Sequence, residues 1–241
     1  MIGELKLYDL SEEYPVTMYI NGSKLLTLMC TPSDLKELAI GHLINTGIIK
    51  DFNDIQTVGA CEDLRKVFIM AENVKEDKSM LKEMFSTGCG SGHDISDKLD
   101  TMPVVESYLR INLKRVQEAF TKMYKDAFRY QQHGGIHASA IVYNSEVVTK
   151  EDVARHNSHD KVTGYGAIRG WDLNKCVIIT TGRISADMVC KAVNSRVPII
   201  CSRSNPTTLA VELANRCGIT LIGRAMSKEI TIFTHRERVV L

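Results

Sequence analysis

Cys89 sits in the run Ser86-Thr87-Gly88-Cys89-Gly90-Ser91-Gly92-His93, where its near neighbours are all small. Glycines on both sides leave the sulfur sterically open and let the backbone turn toward different partners. A thiol in that setting suits sulfur carriage, in which a thiolate attacks the outer sulfur of a donor persulfide and later presents it to an acceptor, as in thiol–disulfide exchange. His93 stands close enough in sequence to help ionise the thiol. The same run also reads as an ordinary loop whose glycines serve turns and whose histidine is solvated.

Anion chemistry is suggested at two further places. Thr180-Thr181-Gly182-Arg183-Ile184-Ser185 and Cys201-Ser202-Arg203-Ser204-Asn205-Pro206-Thr207 each join an apolar strand to a helical pattern. Helix N-termini direct unpaired amides outward and favour anions, and ligands of open α/β sheets collect where strands end and helices begin. Arg155, Arg183 and Arg203 are therefore the candidate anion contacts; capping by Ser185 and Asn205 beside solvated arginines is the alternative. Glu151-Asp152-Val153-Ala154-Arg155-His156-Asn157-Ser158-His159-Asp160-Lys161 concentrates carboxylates, histidines and bases. His156 and His159 lack the further ligands a metal site needs, so structural hydrogen bonding is expected there. His133-Gly134-Gly135-Ile136-His137 marks the tight start of a strand with close backbone approach.

These residues need a scaffold, and its elements can be read from pattern. Residues 16–30 alternate around Asn21-Gly22, a pair suited to the positive φ angles of a hairpin turn. Thr31-Pro32-Ser33-Asp34 offers a cap before Leu35, Leu38, Ala39 and Leu43 on one helical face, and Gly47 can close that helix. A short strand is expected over 67–70. The near-helical spacing of Leu109, Leu113, Val116, Phe120, Met123 and Phe128 predicts one long amphipathic helix over 105–130 that joins two lobes. Beyond it, strands at 138–143, 177–181, 197–201, 219–223 and 230–234 alternate with helices at 185–194 and 205–216. This rhythm predicts a layered α/β sheet with helices on both faces.

Composition narrows the function. Thirty basic and twenty-nine acidic side chains leave a formal net charge of +1, too little for non-specific nucleic-acid binding. No apolar run is long enough to span a membrane, and no basic-then-apolar leader is visible, so a cytoplasmic protein is expected. The seven cysteines are scattered and never spaced CxxC, which argues against a disulfide framework or a thiolate zinc site. Cys176, Cys190, Cys201 and Cys217 lie in apolar stretches and read as small buried hydrophobes.

Motifs along most of the chain resemble those of the FdhD group of formate dehydrogenase accessory sulfurtransferases. They are Thr31-Pro32-Ser33-Asp34-Leu35-Lys36-Glu37-Leu38-Ala39-Ile40-Gly41, Asn45-Thr46-Gly47-Ile48-Ile49, Thr87-Gly88-Cys89-Gly90 and Gly134-Gly135-Ile136-His137-Ala138-Ser139-Ala140. Further along come the 151–157 run with Asp160-Lys161, Thr181-Gly182-Arg183-Ile184-Ser185, Pro206-Thr207-Thr208-Leu209-Ala210-Val211-Glu212-Leu213-Ala214 and Thr231-Ile232-Phe233-Thr234-His235.

The resemblance implies a cytoplasmic homodimer that takes sulfur from a cysteine desulfurase as a Cys89 persulfide. The acceptor would be molybdenum (or tungsten) held by two molybdopterin guanine dinucleotides, destined for formate dehydrogenase, with no tightly bound metal of the protein's own. It also implies an α+β lobe over 1–104, a connecting helix over 105–131, and a three-layer α/β/α, cytidine-deaminase-like, cofactor-binding domain over 132–241. Carried over by position, the cofactor-contacting segment is Arg224, Ala225, Met226, Ser227, Lys228 and Glu229. Its glycine-rich or aromatic form common in the family is absent. Gly92 stands where many relatives have a second cysteine, Ala154 where they have glycine, and Ser158-His159 where they have a small and apolar pair. A zinc deaminase is disfavoured, because Ile136-His137-Ala138-Ser139 lacks the glutamate of the H-x-E element and no CxxC exists to hold the metal. A cofactor-binding chaperone that transfers no sulfur is the rival reading.

Overall fold

The structure, a computed structural model, describes residues 10–75 and 101–241. The Cys89 loop expected to carry the chemistry lies outside the described residues. Strands β1 (Tyr14–Ile20) and β2 (Ser23–Cys30) form the expected hairpin, with Asn21 and Gly22 at φ 48° and 80°. Strands β3 (Ile55–Cys61) and β4 (Lys66–Ala71) complete a four-stranded sheet ordered β2-β1-β4-β3, in which β1 and β4 run parallel. Helix α1 (Leu35–Asn45) covers one face of this sheet, its Leu35, Leu38, Ala39 and Leu43 packing on Val16, Met18, Val67 and Ile69. Asp34 precedes α1 but makes no side-chain cap; its carboxylate turns instead to the Lys150 ammonium.

Residues 105–130 do not form one long helix. Ile111–Asn112 make a short strand, β5, and the Asn112 side chain accepts from the Lys114 amide to start helix α2 (Leu113–Asp126). Non-helical backbone at Ala127 then separates α2 from α3 (Phe128–His133). Helix α2 lays Val116, Ala119, Phe120 and Met123 on the second sheet, because its apolar stripe is wide enough to need covering along its length.

That sheet holds β6 (His137–Tyr143), β7 (Glu146–Asp152), β8 (Val177–Thr180), β9 (Ile199–Ser202), β10 (Thr220–Gly223) and β11 (Thr231–Ile232), ordered β11-β10-β9-β8-β6-β7. Strands β8, β9 and β10 are parallel, whereas β6 runs antiparallel to both its neighbours. Side chains alternate between the two faces as the strand period requires. Ile141, Ile178, Ile200 and Leu221 face helices α4 (Arg155–Ile168), α5 (Ala186–Ser195) and α6 (Thr208–Cys217), while Ala140, Ile179, Cys201 and Ile222 face α2. Helices thus cover both faces, giving three layers. The strand expected over 230–234 shrinks to Thr231–Ile232, because Thr234 spends its hydroxyl on the backbone of Ile219 and Leu221. A final short strand, β12 (Val239–Val240), pairs with β5.

Helix α1 crosses α4 at backbone contact. A Cβ on Gly41 would lie 1.8 Å from the Asp160 carbonyl oxygen, and one on Gly164 would lie 1.9 Å from that of Glu37. Around this crossing α4 is buried on all sides despite its polarity, and its buried charges are paired, while neither ring nitrogen of the buried His159 has a partner among the described residues. Lys191 Nζ donates to Asp160 Oδ1 and Oδ2 at 2.6 and 2.7 Å, Asn45 Nδ2 donates to Oδ1 at 2.7 Å, and His42 Nδ1 lies 3.1 Å from Oδ2. Lys161, wholly buried, has an acceptor for each of its three N–H groups: Asp152 Oδ2 at 2.7 Å, the Thr31 carbonyl at 3.0 Å and the Glu151 carbonyl at 3.1 Å. Burial alone would raise the Asp160 carboxyl, but the Lys191 charge and the His42 hydrogen bond outweigh it and hold the group below the usual carboxylate range.

Two outcomes are expected. Gly41→Ala should lower unfolding free energy in urea by about 3 kcal/mol or more, since only movement of whole helices relieves a backbone clash, whereas Gly59→Ala, with open space around its Cα, should change it by less than about 0.5 kcal/mol. Asp160→Asn should remove about 3–5 kcal/mol at pH 7 by leaving the Lys191 charge uncompensated. A carboxyl depressed on folding stabilises above its unfolded pKa of about 3.9 and loses that contribution as pH falls through the folded value. The gap between wild type and Asp160→Asn should therefore narrow below about pH 4; a gap constant with pH would contradict the assignment.

Candidate functional site

One edge of the six-stranded sheet collects the residues singled out by chemistry. β6 begins at His137, opposite Asp152 at the end of β7, while Ser139 pairs with Thr180 at the end of β8 and Thr180 with Ser202 at the end of β9. The loops after β8 and β9 lie side by side. Arg203 N donates to the Thr180 carbonyl at 3.1 Å, Thr207 N donates to that of Ile184 at 3.0 Å, and Ile184 and Pro206 form a parallel bridge. The two arginine-bearing junctions read from sequence thus form one continuous rim at the carboxyl ends of the parallel strands, the place where ligands of such sheets are held.

Gly182 sets how closely the rim's parts approach. A Cβ there would meet Arg155 Cβ at 3.0 Å, Arg155 Cδ at 3.2 Å and His137 Nδ1 at 3.5 Å. Its backbone is held by Thr180 Oγ1, which accepts from Gly182 N at 3.2 Å, and by Ser202 Oγ, which donates to the Gly182 carbonyl at 2.6 Å. Arg155, the first residue of α4, is consequently brought beside the β8 loop although 27 positions separate the two, counted from 155 to 182. Arg183 and Arg203 are exposed on the same rim, and Arg203 Nη1 donates to the Tyr130 hydroxyl at 2.8 Å. The Tyr130 partnership gave no sequence signal, because Tyr130 reads only as part of a helix.

Three buried polar atoms on this side, Arg155 Nε, His156 Nε2 and Ser185 Oγ, have no hydrogen-bond partner among the described residues. Ser185 stands at the N-cap of α5 yet makes no side-chain cap bond, and the α6 cap is Thr207, whose hydroxyl oxygen accepts from the Ala210 amide, rather than Asn205. Buried polar atoms without partners are costly, and three of them adjoin the rim. The local histidines add no positive charge at neutral pH. Burial, with the charges of Lys191 and Arg155, pulls His156 down to about 4, and burial followed by Arg155 lowers His137. Attraction for an anion therefore falls to the arginines.

The remaining candidates are distributed as follows. Arg224 and Glu229 form an ion pair at 2.7 Å, closing the 224–229 segment on itself. Ala225 is fully buried in the core and bonded through its amide to the Ser202 carbonyl, so its side chain faces the fold, whereas Met226 and Lys228 are exposed. The segment follows β10 on the rim already described. His159 is fully buried, and Asp152, Asn157, Asp160 and Lys161 are engaged within the fold. Burial also removes thiols from consideration. It pushes Cys30, Cys176 and Cys190 up to about 12 and raises Cys201 and Cys217, which keeps all five protonated. Cys61, on β3, is half-buried.

Comparison with known proteins agrees with this architecture. The crystal structure of a protein described as a formate dehydrogenase accessory protein from Desulfotalea psychrophila is similar at a TM-score of 0.78 and 25% identity, over 95% of this chain and 90% of that one. The sulfur carrier protein FdhD of Wolinella succinogenes is 31% identical over 236 residues, 95% of this chain and 82% of the relative. The protein of the same name from Methanothermobacter thermautotrophicus is 32% identical over 226 residues, 93% and 89% respectively. The model of the FdhD/NarQ family matches residues 11–240, and the chain belongs to that family.

Proposed function

We propose that this protein is a sulfur carrier for formate dehydrogenase maturation, with Cys89 as the carrying thiol and the arginine rim as the seat of the acceptor. The observation that carries the acceptor half is the rim itself: Arg155 packs against Gly182, and the adjoining loops after β8 and β9 carry Arg183 and Arg203, beside orphaned polar atoms. A bis(molybdopterin guanine dinucleotide) molybdenum cofactor, the substrate that accepts sulfur, presents pyrophosphates that suit such donors. The names of the relatives support the carrier half, as does the burial of the five raised thiols, which leaves thiolate chemistry to the remaining cysteines. In the first step the Cys89 thiolate attacks the outer sulfur of a desulfurase persulfide; the new S–S bond forms on Cys89 and the donor thiolate leaves.

We divide the chain into the α+β lobe at 1–104 and the cofactor-binding domain at 132–241, with α2, from the stretch between them, packed on the sheet of the latter. The order β7-β6-β8-β9-β10, with β6 antiparallel, is the arrangement that we liken to the cytidine-deaminase fold. No described helix is long and apolar enough to cross a membrane, and we place the carrier in the cytoplasm with its desulfurase, as a homodimer. Gly92, in place of a second cysteine, favours one rival: a chaperone that binds the cofactor without moving sulfur.

Intact-protein mass spectrometry after incubation with an active cysteine desulfurase and cysteine should show one reducible added sulfur on wild type and on Cys61→Ser, and none on Cys89→Ser. Added sulfur retained by Cys89→Ser would remove Cys89 from the mechanism. Activation of formate dehydrogenase should be lost with Cys89→Ser while cofactor binding persists; preserved activation would select the chaperone. Replacing Arg155 or Arg183 by Ala should weaken guanosine diphosphate binding about 5- to 10-fold, with a smaller loss at high salt.

A further inference from the structure

Arg203 is exposed at the rim, and a long side chain left free there would lose conformational freedom on meeting an anion. It is not left free. Its Nη1 donates to the Tyr130 hydroxyl. Tyr130 is itself held on two sides. Its ring packs on Tyr124 with centroids 5.9 Å apart at a 41° tilt, and its amide donates to Glu151 Oε1 at 2.6 Å. The other Glu151 oxygen accepts from the Arg129 amide at 3.2 Å, and Arg129 Nη1 reaches Ser33 Oγ at 3.1 Å. The Glu151 carbonyl accepts from the buried Lys161. Hydrogen bonds therefore link the buried Lys161 to Glu151, Glu151 to Tyr130 and Tyr130 to the exposed guanidinium.

We propose that Tyr130 is a positioning residue that holds the Arg203 guanidinium pre-aimed at a phosphate group of the acceptor, with Glu151 seating Tyr130. This rests on the rim being the acceptor seat. A guanidinium has five N–H donors, and its contacts with Tyr130 and Tyr124 leave others for phosphate oxygens, so the tyrosine orients the arginine without using it up. A preorganised fork binds more tightly than a mobile one because less freedom is lost on contact.

The test is a double-mutant cycle by titration calorimetry with guanosine diphosphate, using full-length wild type, Tyr130→Phe, Arg203→Ala and the double variant, with melting temperatures measured alongside. Phenylalanine keeps the ring packing on Tyr124, and Glu151→Gln supplies a second, milder perturbation of the same series. The expected losses are about tenfold or more for Arg203→Ala and about 3- to 10-fold for Tyr130→Phe. Tyr130→Phe should have no effect in the Arg203→Ala background, and its melting temperature should match wild type. An equal loss from Tyr130→Phe in both backgrounds, or no loss at all, overturns the positioning role. Wild-type affinity in Arg203→Ala overturns it while leaving the acceptor seat to the other arginines. Absence of binding by wild type overturns both this inference and the seat.

Discussion

The backbone contact between α1 and α4 is the constraint on which the remainder depends. Two glycines, Gly41 and Gly164, permit an approach so close that each would place a methyl group inside the other helix's backbone. At that separation long side chains cannot interleave, so the polar residues flanking the crossing are sealed from water and must find partners there. Asp160 with Lys191, and Asp152 with Lys161, are the result. Each pair draws on both parts of the chain: Asn45 and His42 reach Asp160 from α1, and the Thr31 backbone reaches both Lys161 and Asp152. Buried pairs of this kind are weak sources of net stability but strict about geometry, since removing one member strands the other.

The same pairs adjoin the arginine rim. Asp152 ends β7 beside His137, Glu151 precedes it, and α4 starts three residues later with Arg155. The polar interior and the polar rim are therefore two faces of one short stretch of chain. Arg155 is aimed by a helix whose middle is locked by Asp160 and Lys161, and Tyr130 is seated by the carboxylate next to Asp152. Rigid support behind exposed donors lowers the freedom lost when an anion binds.

Thiol chemistry is separated from this scaffold by burial. Cys30, Cys176, Cys190, Cys201 and Cys217 act as packing residues, and desolvation denies them the thiolate form that attack on sulfur requires. A carrier benefits from that separation, because sulfane sulfur exchanges readily among thiolates and would otherwise be spread over several sites.

The sequence by itself determined the hairpin at Asn21-Gly22, the alternation of strands and helices after residue 137, the neighbouring arginine junctions and the family. Each rests on local backbone preference, on strand period or on motifs contiguous in the chain. The tertiary structure alone decided that 105–130 breaks at Asn112 and Ala127, because side-chain capping and packing on the sheet overrule a continuous apolar stripe. It alone decided that Asp152 and residues 157–161 of the polar run lie in the interior, that Gly182 brings Arg155 to His137, and that Tyr130 holds Arg203. Burial and partnership depend on residues more than a hundred positions away, such as Thr31 and Asn45, and a pattern read along the chain carries no information about which distant surface will cover it.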